Sequence, residues 1–162
     1  MKSLLAAAAA AFVLFAAAAA ETPSAIFEDY WKTTLEEDPF SATGSGVSDY
    51  NDRVPAVAPA DHDRRLGQAK AFMARLDALD AAALSEEDRL NVALLRFILK
   101  HDIALAAFRP WRIPFLSDSG FHNSMGYVVA ATTFRTESDY TAYLKRLTAL
   151  PAYIDQNIEN MR

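Results

Sequence analysis

Cysteine is missing from all 162 residues, so the chain has neither a disulfide nor a lipid-modified N-terminal cysteine. Histidine is nearly as scarce. His62, His101 and His122 are scattered, and none belongs to an HExxH, which sets two zinc-binding imidazoles one helical turn apart. A tightly held zinc is therefore not expected among these residues. The five glycines build no G-x-S-x-G nucleophile elbow. Nor do they build a phosphate loop, because Gly44-Ser45-Gly46 lacks a strand before it and a Lys-Ser/Thr after it. Excess positive charge is absent too. Sixteen Lys and Arg face 21 Asp and Glu, a net charge of −5, which argues against nucleic acid or an anionic membrane as partner.

Only one long apolar run exists, residues 4–20, mostly alanine and short of the roughly 20 residues of a membrane span. Met1-Lys2 precedes it, and Ala18-Ala19-Ala20 offers small residues for cleavage before Glu21. Residues 1–20 read as a signal peptide. The expected product is residues 21–162, exported to the periplasm or secreted, with no stable membrane anchor. Losing Lys2 takes the net charge from −5 to −6.

Residues 31–55 (WKTTLEEDPFSATGSGVSDYNDRVP) organise the rest. A first helix over residues 23–37 is expected, capped by Thr22 or Ser24, with Phe27, Trp31 and Leu35 on an aromatic face and Pro39 as its stop. Glu36, Glu37 and Asp38 read as solvated charge. Residues 40–60 form a long connection in which Asp49, Asn51, Asp52 and Arg53 make local turn bonds. A second helix should start at a capping Asp61 and end near Leu79, with Leu66, Ala69, Met73, Leu76 and Leu79 as its buried stripe. In it, Asp61-His62-Asp63 point in different directions and cannot share one metal. A third helix is capped by Ser85, and Leu90, Leu94, Phe97, His101 and Leu105 form its stripe, widened by Leu95, Ile98 and Phe108.

Residues 109–115 (RPWRIPF) alternate as an extended segment should. Behind them, Asp118, Ser119, His122, Asn123 and Ser124 make the most site-like loop, although turn and cap chemistry explains it as well. A serine hydrolase built on Ser124 lacks an elbow. A short helix over residues 124–131 follows, then a last one opened by Thr136 and Asp139. Pro151 should kink or restart that last helix, and Ile154, Ile158 and Met161 carry its apolar face onward. The fold class is all-α, an antiparallel bundle-like array of five to six helices and a partial domain.

Taken in order, FEDYWKTTLEEDPFSAT, YNDRVP, LSEEDRLNVALLR, WRIP, GFHNS and FRTESDYTAYLKRLTALP resemble the N-terminal part of a bacterial family, domain of unknown function 885. The resemblance runs from about residue 26 to the end. It implies a helical, exported, much longer protein that resembles zinc metallopeptidases of the HExxH type. No catalytic or metal residue carries over, so zinc is implied only for a full-length member. Implied partners are the missing C-terminal part of the protein and a peptide substrate. His122, Asn123 and Ser124, in GFHNS, would line its substrate cleft. The alternative is a self-standing, non-catalytic periplasmic binding or scaffold module.

Overall fold

Side-chain caps open four of the helices among the described residues. In the computed structural model, which describes residues 21–116 and 119–162, Thr22 Oγ1 accepts the Ala25 amide at 3.3 Å and opens α1, Pro23–Glu37. Residues 1–20, read above as a signal peptide, and Asp118 lie outside the described residues. Asp38 closes α1 and caps α2, Pro39–Gly44, accepting the amides of Phe40 and Ser41 at 3.1 Å each. Pro39 stops one helix and starts the next, because a proline at a first turn gives up no bond. The connection expected over residues 40–60 thus contains a helix.

α3 is Pro59–Asp77. Asp61 is not its cap but lies one turn in, where its carboxylate accepts the Ala58 amide at 3.0 Å. α4, Glu86–Ala106, starts at Ser85, whose Oγ accepts the Asp88 amide at 3.0 Å. A 3-10 turn, Pro110–Arg112, replaces part of the expected extended segment. A two-residue hairpin follows, β1 Phe115–Leu116 against β2 Ser119–Gly120. α5 is Ser124–Ala131. α6, Glu137–Asn160, begins with the Thr136–Asp139 capping box and runs unbroken through Pro151. The architecture is an all-α array of six helices among the described residues.

The core is small and formed by α1, α3 and α4. Ile26, Phe72, Leu76, Val92, Leu95 and Leu99 are buried together, with Met73, Ala69 and Leu79 at the edge. Each fully buried aliphatic side chain here contributes about 1.5–3 kcal/mol by removal from water. Arg96 closes the α3–α4 contact by donating Nη2 to the Leu76 carbonyl at 2.8 Å.

Two helices turn the face named from the sequence outward. On α4, Val92, Leu95 and Leu99 are buried, whereas Leu90 (70% exposed), Leu94 and Phe97 (71%) face solvent with His101, Leu105 and Phe108. The two sets lie on opposite sides at about 100° per residue. On α6 the reversal goes further. Its buried face is Arg146, Tyr153, Asn157 and Asn160, and its outer face is Tyr140, Leu144, Leu147, Pro151 and Ile158. Trp31 of α1 is likewise half-exposed.

What α6 packs on explains this. Arg146 is fully buried and reaches back to the α2 region. Its Nε donates to the Arg53 carbonyl at 2.7 Å, Nη1 to Thr43 Oγ1 at 2.9 Å, and Nη2 to the Pro39 and Tyr50 carbonyls at 3.2 and 2.7 Å. Thr43 Oγ1 donates in turn to Asn51 Oδ1 at 2.6 Å, so Asn51, whose amide makes the expected turn bond to the Ser48 carbonyl at 3.0 Å, is also a buried member of this hub. Asn160 Nδ2 adds a bond to the Val57 carbonyl at 2.6 Å. Backbone oxygens need donors, and α6 supplies them. Burial pulls the Arg146 pKa below the usual guanidinium value, against the pull of Asp52.

Candidate functional site

An open cleft of about 850 Å³ runs between α1, α2, the first half of α3, the last turns of α4 and α5. Phe72, Leu99, Leu105, Trp111 and Val128 supply apolar wall; Glu37, His62, Arg65, Asp102, Arg109 and Ser124 supply polar groups. This is the size and mixed lining of a small-ligand site.

One wall is a charge network that the sequence does not mark. Glu37, expected to be solvated, accepts Arg64 Nη2 at 2.8 Å, Arg64 Nε at 3.1 Å and Gln68 Nε2 at 3.0 Å. Arg65 Nη1 lies 3.5 Å from the same carboxylate and donates to the Ala56 carbonyl at 2.8 Å. Arg64 also pairs with Asp61. Arg64 holds the Glu37 carboxyl below the usual carboxylate range, with burial opposing and Gln68 assisting.

A depressed carboxyl contributes stability above its unfolded pKa, about 4.3, and loses it as pH falls through the lower folded value. Melting curves of the native chain and Glu37→Gln should therefore differ by a constant amount between pH 5 and 8 and converge below about pH 4. A gap unchanged down to pH 2 would show that the network is merely steric.

His62 is in the first turn of α3, stacked on Trp111 with ring centroids 5.1 Å apart and planes 11° from parallel. Its Nδ1 lies 2.9 Å from Arg65 Nη2. Burial, then Arg65, lower its pKa, so the ring is neutral near pH 7 and accepts the Arg65 N–H through Nδ1. Arg109 is the backbone outlier, with φ 49° and ψ 56°, directly before Pro110. A left-handed arginine costs roughly 1–2 kcal/mol, and such strain collects at functional positions.

Of the loop residues named from the sequence, Ser124 reaches the cleft wall; His122 and Asn123 do not line it. His122 is exposed and packs edge-on to Phe115 and Phe121, at 6.1 and 6.0 Å. Asn123 Oδ1 accepts the Gly120 amide at 3.2 Å, and Ser124 Oγ donates to the Gly120 carbonyl at 2.9 Å. Ser124 also engages the side chain of Tyr153, and no imidazole hydrogen-bonds it among the described residues. The loop is folded by turn and cap bonds. Gly120 is required there: at φ 150°, an added Cβ would overlap Phe115 Cβ and sit 2.7 Å from the Pro114 oxygen.

The three histidines lie apart, His62 on the cleft, His101 on the outer face of α4 and His122 among the phenylalanines. Among the described residues no three His, Asp or Glu gather as metal ligands. They do not fit a catalytic zinc, and no metal step runs through them.

Residues 39–162 match the family described as bacterial protein of unknown function (DUF885). The chain belongs to that family. Comparison with curated proteins and with solved structures returns no match. In this DUF885 chain the matched region starts at Pro39, the first residue of α2, and takes in the Arg146 hub, α3 to α6 and most of the cleft lining. Glu37, the anchor of the cleft network, lies just before it. Local sequence could not have flagged Glu37, because its partners are 27 to 31 residues ahead.

Proposed function

We propose that residues 21–162 are the exported, helical N-terminal region of a zinc-metallopeptidase-like protein, lacking that protein's catalytic motif. The cleft would form one wall of its peptide groove. The outer faces of α4 and α6 carry this reading, because they set Leu90, Leu94, Phe97, Phe108, Tyr140 and Leu144 in solvent. Continuous apolar surface of this kind marks an interface. The partner that fits is a later part of the same protein, whose helices would cover both faces and bring the zinc ligands.

Intact-mass and N-terminal peptide measurement on the protein from its native cell envelope tests both halves. The expected result is a first residue of Glu21 and a mass well above that of residues 21–162. A mature protein that keeps Met1 overturns the export assignment. A monodisperse product ending at Arg162 overturns the larger protein and leaves the binding module.

A further inference from the structure

We propose that the cleft holds a short zwitterionic peptide, its carboxylate on Arg109 and its ammonium toward the acids Asp63 and Asp102. Resting on the peptide-groove reading above, this adds the polarity and length of the ligand. The cleft has two arginines, and among the described residues only one has a guanidinium without a partner. Arg65 is occupied by Ala56, His62 and Glu37. Arg109 is exposed on the rim, and its guanidinium has no partner among the described residues. Its left-handed backbone fixes where the side chain leaves the chain.

The cleft's carboxylates sort in the same way. Glu37 is filled by Arg64, Arg65 and Gln68, and Asp38 by the amides of Phe40 and Ser41 and the Ser41 hydroxyl. Asp63 makes no hydrogen bond or ion pair among the described residues. Asp102 has only the exposed His101 ring, 3.7 Å away. Among the described residues, one unpaired arginine, one unpaired acid and one acid with only a loose imidazole contact surround an apolar wall, and they suit a ligand that carries both charges. Asp102 is in the last turns of α4, which ends at Ala106, and Arg109 lies three residues past that end. A tripeptide, about 10 Å long when extended, carries one charge at each end and one side chain for the apolar wall. Its middle side chain would lie against Phe72, Leu99 and the Trp111 ring that stacks on His62.

Calorimetric titration of the full chain with Ala-Phe-Ala, its C-terminal amide and its N-acetyl form is the test. The amide should bind at least tenfold more weakly than the free peptide. Arg109→Gly, which adopts the left-handed backbone without strain, should bind both forms equally. Arg109→Asn, also tolerant of that backbone, should do the same if the glycine variant folds poorly. The acetylated peptide should lose affinity with the native chain but not with Asp102→Asn. Equal binding of acid and amide by the native chain, a preference that survives in both Arg109 variants, or no binding at all overturns the proposal. The intact-mass result is independent of these titrations, so the larger-protein reading and the ligand assignment fail separately.

Discussion

Arg146→Met is expected to destabilise the fold by about 3–5 kcal/mol, more than any surface substitution in the molecule. Methionine fills most of the space but donates nothing. The Arg53 carbonyl then loses its Arg146 donor, and those of Tyr50 and Pro39 keep only weaker local ones. Each unsatisfied buried acceptor costs roughly 1–3 kcal/mol. Thr43 keeps its bond to Asn51, so the hub should loosen rather than disappear. Urea unfolding measures the loss, and hydrogen exchange should localise it to residues 39–57 and to α6, with α3 and α4 protected until global unfolding. A loss below about 1 kcal/mol would mean that water replaces the guanidinium at little cost.

The second large effect separates the two faces of α4. Leu99→Ala should cost about 2–5 kcal/mol, because Leu99 is 1% exposed in the core cluster and leaves a cavity. Leu94→Ala, at 56% exposure on the opposite face, should change stability by less than about 0.5 kcal/mol. Denaturation midpoints of both variants check this. Equal losses would show that the Leu94 face is covered in solution.

The contrast at Leu94 and Leu99 also shows where sequence reading stops. Caps are local chemistry, so Thr22, Ser85 and Thr136 each marked a helix start that the structure has. The limits of α1 were legible for the same reason; those of α5, which has no side-chain cap, and the all-α class came from the wider pattern. The inward face was not. α4 is apolar on both sides, and periodicity reports that a stripe exists without saying what meets it. α6 misleads more strongly. Its best apolar stripe faces out, because the partner it packs on is backbone carbonyl and wants Arg146 and Asn160.

Of the three loop residues named from the sequence, the structure puts one on the candidate cleft. Ser124 lines the cleft, while His122 and Asn123 serve the hairpin and its turn. The groups that give the cleft its character come from three places in the chain: Glu37 ends α1, Arg65 is in α3, and Arg109 and Trp111 flank the start of the 3-10 turn. Only tertiary packing brings them together.

Pro151 sets a condition on whatever meets α6. An ordinary residue there would donate its N–H to the Leu147 carbonyl one turn back, and proline has none to give. Leu147 and Pro151 both lie on the outer, apolar face. Solvent satisfies that oxygen as long as the face stays wet. A surface that dries it must therefore be greasy along its length and still place one N–H or O–H opposite Leu147. A purely hydrocarbon partner would fit the stripe and fail at that point.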